Sequence, residues 1–185
     1  MLECATPADW ERWLDAYHAG SAGVWLRILT VAARPPGALD HPAALEIAIC
    51  FGWIDGQRKG LDDRSFLQRF TPRTARSKWS QVNRGKALAL IAAGRMRPAG
   101  RAQVDAAQAD GRWEAAYEPQ SRASVPADLQ RALDAEPAAG AFFATLTGAR
   151  RYAFLYRLHH VTGPEARARR IAVYIERLRE GRTLD

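Results

Sequence analysis

Lysine is nearly missing from this 185-residue chain: Lys59, Lys78 and Lys86 are the only lysines, and 24 of the 27 basic residues are arginine. A GC-rich genome produces such a bias, so the number of arginines carries little meaning and their clustering carries more. Cysteine is also scarce. Cys4 and Cys50 cannot make a disulfide framework, and together they point to a reducing compartment. Cys50 lies in an apolar run and reads as a small buried hydrophobe, while Cys4, near the start, reads as a free thiol. Long apolar runs are absent, and no stretch approaches the roughly 18 residues of a membrane span. The first twenty residues show neither a basic leader region nor an apolar one. These absences lead to the expectation of a cytoplasmic protein. His18, His41, His159 and His160 stand in no HExxH spacing, and no CxxC accompanies them, so no metal site is read. GxSxG, GxGxxG and GxxxxGK[ST] are missing too. Triads assemble in space rather than in sequence. Even so, no catalytic residue and no cofactor is assigned, and the reading leans away from an enzyme.

What remains is an ordinary globular composition, 48% hydrophobic and 25% charged. The positive charge is concentrated. Between Arg58 and Lys86 there are nine basic residues and two acidic ones, 9 − 2 = +7, which equals the net charge of the whole chain. A second basic region, Arg150 to Arg182, holds nine arginines. Set against Glu165, Glu176, Glu180 and Asp185 it gives 9 − 4 = +5, and it reads mostly as a solvated helix face.

Thr6-Pro7-Ala8-Asp9 predicts a capped helix carrying Trp10, Trp13, Leu14 and Tyr17. Gly23 to Val31 predicts a strand, and Pro42 to Phe51 a short apolar helix. Trp53–Arg58 and Ser65–Thr71 predict a hairpin, with Gly60 and Asp62-Asp63 between them and Pro72 as its end. Ser80 predicts a cap for the next helix, and Arg101 to Asp110 another helix. From Pro126 the chain reads as helical throughout. The fold class is therefore α+β: a small antiparallel sheet with helices in the N-terminal half, then a helical C-terminal layer or bundle. The expected division is residues 1–117 and 118–185, packed together as one unit.

The sharpest ligand-binding candidates lie in the basic segment. Arg69, Arg73 and Arg76 supply guanidinium forks. Thr71 and Ser77 supply hydroxyls, and Trp53 and Trp79 aromatic faces. Asp55 and Asn83 would orient a ligand. That chemistry suits an anionic small molecule, a nucleic acid or a protein partner.

Several blocks have a familiar look: Trp10-x-x-Trp13-Leu14, Gly23-Val24-Trp25-Leu26, Cys50-Phe51-Gly52-Trp53-Ile54-Asp55-Gly56, Arg69-Phe70-Thr71-Pro72-Arg73, Ser77-x-Trp79-Ser80-x-x-Asn83 and Asp110-Gly111-Arg112-Trp113. Together they resemble the YdeI/OmpD-associated family, also called OmdA and labelled bacteriocin-protection. The resemblance extends over nearly the whole chain. Pro126 to Gly181 is similar to the family's helical C-terminal module, down to Arg167-x-x-Arg170-Ile171. It implies a link to tolerance of cationic antimicrobial peptides and bacteriocins, a form of stress tolerance, and it supplies no reaction and no catalytic residues. The family is described as periplasmic and porin-associated, whereas the start of this chain does not read as a secretory leader. A chain of +7 is a poor electrostatic trap for cationic peptides. The expectation is thus a non-enzymatic ligand- or partner-binding protein acting indirectly. The alternatives are a nucleic-acid-binding module using residues 58–86 and an enzyme on a small anionic substrate that uses Asp55.

Overall fold

The computed structural model describes residues 1–184; Asp185, counted above among the C-terminal acids, lies outside the described residues. Its contacts divide the chain into two compact units, the first running from Met1 to Ala116 and the second beginning at Tyr117.

The first unit contains β1 (Leu2–Glu3), α1 (Pro7–Tyr17), β2 (Val24–Leu29), α2 (His41–Cys50), β3 (Trp53–Asp62), β4 (Ser65–Pro72), α3 (Gln81–Ala92) and α4 (Pro98–Ala109). The chain is α+β, as its sequence predicts. The sheet, in the order β1-β2-β4-β3, is mixed rather than wholly antiparallel, because β1 joins β2 in parallel. A two-residue strand is too short to show any alternation in the sequence.

The caps form as the residue types dictate. Thr6 and Asp9 make a reciprocal capping box at α1, and Ser80 accepts from the Asn83 amide at α3. Trp10, Leu14, Leu26, Ile28, Ile49, Trp53, Phe70 and Trp79 are all buried in one core cluster. The α4 helix starts at Pro98, three residues before the predicted start, because Pro98 fits its first turn. Gly100 then meets α2 closely: a Cβ there would stand 2.2 Å from the Cys50 carbonyl oxygen, so only glycine fits the crossing.

The hairpin is longer than predicted, since β3 continues through Gly60 to Asp62. An edge strand tolerates glycine there, and its register shifts twice against β4, between Asp55 and Arg58 and between Gly60 and Asp62.

The second unit holds α5 (Ala127–Ala135), α6 (Pro137–Thr145), α7 (Gly148–His159) and α8 (Pro164–Arg179). Leu129, Leu133, Phe143, Phe154, Leu158, Tyr174 and Leu178 form its core. Arg167 ties three of its helices. It donates to both carboxylate oxygens of Asp128 on α5, at 2.5 and 3.1 Å, and to the Leu158 carbonyl of α7 at 2.9 Å. The bonds from Arg167 hold the Asp128 carboxyl below its usual range. Among the described residues no helix is long and apolar enough to cross a membrane.

Candidate functional site

The basic segment is dispersed over several surfaces. Lys59 and Arg69 lie over the Trp25 ring, at 4.4 and 5.9 Å from its centroid, on the sheet face that also bears Thr71. Lys86 pairs with Glu46 at 2.6 Å, and Arg84 turns to Glu114 at 3.8 Å and to the Trp113 carbonyl at 3.1 Å. The acids of the N-terminal part mostly pair elsewhere: Glu3 with Arg27, Asp9 with Arg12, Glu11 with Arg97 and Asp40 with Arg34.

The nine candidate residues do not meet at one point. Trp53 is buried, and its indole donates to the His18 carbonyl at 3.3 Å. Arg73 is only 4% exposed. Its guanidinium lies 3.6 Å from the centroid of the Trp79 ring and donates to the Lys78 carbonyl at 3.2 Å. Trp79 is buried edge-on against Trp113. The intervening turn is closed by the Ser77 hydroxyl, which accepts from the Thr74 amide at 2.9 Å. Arg112 clasps the same turn from outside, donating to the carbonyls of Thr74 and Ser77. Arg76 is exposed at its tip, and Asn83 is buried at the start of α3.

Asp55 leads somewhere else. Its carboxylate accepts from His41 Nε2–H at 3.1 Å, which leaves Nδ1 as the remaining nitrogen of that ring. The sequence explains how the two meet. Asp40 caps α2 through the Ala43 amide at 2.8 Å and Pro42 fixes the first turn, so His41 stands at the mouth of the helix. Asp55 pairs with Phe70 in the sheet, and the His41 ring packs 6.4 Å from that same phenyl.

The register shift after Asp55 then matters. Arg58 pairs with Gln68, two residues along β4 from Phe70, so Arg58 comes to the same face as Asp55. Without the shift, three residues of strand would have sent it to the opposite face. Arg58 instead stacks on Phe66 at 3.6 Å.

His41, Arg34, Asp40 and Arg58 line a cleft of about 310 Å³, whose apolar wall includes Ile28 and Phe66. Within it Arg34 is held by Asp40 at 3.5 Å, whereas Arg58 has no carboxylate partner among the described residues. An oriented imidazole, a free guanidinium and an apolar wall together can hold a small anion or poise a base beside it. Sequence reasoning missed His41. The signal was faint: a histidine just behind a capping aspartate, fourteen residues before Asp55. No group of three or more metal-ligating side chains gathers among the described residues.

Comparison with known families divides the chain in a similar place. Residues 2–103 match the family described as "Domain of unknown function (DUF8412)". The chain belongs to this family. Residues 122–181 match the family described as "Bacteriocin-protection, YdeI or OmpD-Associated", OmdA, in agreement with the resemblance read from the sequence. In this DUF8412 member the His41 cleft and the CFGWIDG and RFTPR blocks all fall in the first match, and the OmdA match begins after them. No curated protein and no solved structure matches the chain.

Proposed function

We propose that the protein is a non-enzymatic binder of a small anionic ligand, held in the His41 cleft, and that this binding is its part in tolerance of antimicrobial peptides or bacteriocins. The observation that carries the reading is the His41–Asp55 pair standing on a cleft with Arg58. Asp55 fixes the ring, so its remaining nitrogen meets a ligand in a set orientation, while Arg58 supplies a guanidinium that no carboxylate pairs among the described residues. The link to bacteriocins rests on the words of the OmdA description alone.

A thermal-shift screen against sugar phosphates, nucleotides and small dicarboxylates tests it, with His41→Ala and Arg58→Ala alongside. A compound that raises the Tm of the wild type and of neither variant supports the cleft. A stabilising compound that both variants still bind sinks it. Survival of cells under a cationic peptide, with wild type or His41→Ala as the only copy, then tests the biological role.

The same geometry favours a second reading, general-base catalysis on a small anionic substrate, since a carboxylate-oriented imidazole is a common base. Asp55→Asn separates the two. Binding retained with turnover lost would mark catalysis; binding without any turnover in the wild type leaves the first reading.

A further inference from the structure

We propose that the second unit carries a separate phosphate-binding site on α8, formed by Arg157, Arg170, Arg177 and Tyr174. These residues, with Val173 and Leu184, line a surface pocket of about 250 Å³. Arg170, Val173, Tyr174 and Arg177 follow the i, i+3, i+4, i+7 spacing, which sets them along one face of the helix. Arg157 reaches the same pocket from α7.

Three features single this pocket out. First, Arg170 and Arg177 differ from the other arginines of α8 and its end. Arg167, Arg169, Arg179 and Arg182 are each matched by a carboxylate, from Asp128, Glu165, Glu176 and Glu180. Arg170 and Arg177 have no carboxylate partner among the described residues; Arg177 reaches only the Thr183 carbonyl, at 3.5 Å. Second, among the described residues no acidic side chain lines the pocket. Third, Tyr174 is 2% exposed, yet its hydroxyl finds no hydrogen-bond partner among the described residues, although Arg170 lies over its ring at 6.0 Å. A buried polar atom left unmatched calls for an explanation, and a ligand that accepts from the hydroxyl once the long arginine side chains move onto it provides one.

Three guanidinium groups converging on one small pocket suit a dianion rather than a monoanion. Guanidinium forks also match the oxygen geometry of a phosphate group. The pocket has room for that group and little more than a small organic body, so the ligand class is a small phosphate monoester. This site lies outside the His41 cleft, and neither reading depends on the other.

The experiment is a residue-resolved NMR titration of the full chain with inorganic phosphate at low ionic strength, with acetate as the monoanion control. Saturable shifts of amides of α7 and α8 around Arg157, Arg170 and Arg177 are expected, whether or not first-unit amides also move. Arg170→Gln and Arg177→Gln should each weaken them by about tenfold, and Tyr174→Phe by a smaller factor. His41→Ala should leave them unchanged. The glutamine variants lie on the surface, and their circular dichroism should match wild type. The proposal is overturned if phosphate gives no saturable shift, if it moves only first-unit amides, if acetate binds equally well, or if both arginine variants titrate like wild type.

Discussion

Between Arg58 and Lys86 the arginines and lysines scatter: one stacks on Phe66, two cover Trp25, one is buried against Trp79, and two pair with Glu114 and Glu46. Along α8 the arginines sort instead into matched ones and a group that shares a pocket. The first segment has the larger net charge and no single gathering point. The difference lies in the backbone. A strand sends successive residues to opposite faces, and a turn adds directions of its own, so charge dense in sequence becomes dilute in space. A long helix brings residues three, four and seven apart to one side, so moderate charge becomes dense. Net charge over a window therefore does not say where guanidinium groups gather.

Substitutions can break this contrast. The largest effect belongs to Trp79→Ala. Removing a fully buried indole should cost about 3–5 kcal/mol in urea unfolding, with the first unit losing its cooperative transition earliest. Arg73→Ala follows. If its guanidinium serves the core, the variant should lose about 2 kcal/mol through the lost stack on Trp79. If it serves a ligand, stability should hold and binding alone should suffer.

The smallest effect concerns acid. Asp128 has a carboxyl held below its ordinary 3.8 by the bonds from Arg167. Because the folded value is the lower one, its contribution is complete above the unfolded value and disappears as pH falls through the folded one. The Tm of wild type should therefore drop more steeply than that of Asp128→Asn on acidification below about pH 4. Equal slopes would mean that the bridge adds nothing.

Much of the fold was legible. Thr6 and Ser80 announced their caps, Pro72 its strand end, and the stretch after Pro126 its helices. Those signals are local, and local chemistry enforces them. What escaped depends on pairing between distant segments. The strand Leu2–Glu3 exists only because β2 offers it an edge. The faces of Arg58 and Asp62 depend on two register shifts that leave no mark in composition. With Asp62 moved over, Arg27 reaches both it and Glu3, at 3.4 and 3.0 Å. Likewise, nothing beside Asp55 foretold His41, because a helix mouth and a strand had to be brought together before the two could touch.

Those shifts in β3 have a further effect, on how the molecule behaves in a crowd. An exposed sheet edge is a template for the backbone of any other chain that drifts past. Here β1 guards one edge by being two residues long, and β3 guards the other with its irregular ladder, a glycine and the charges of Arg58 and Lys59. A straight, apolar strand in that position would recruit neighbours into fibrils. The kinked and charged one denies them a matching row of amides, so the irregularity that carries Arg58 into the cleft also keeps concentrated solutions of the protein from zipping together.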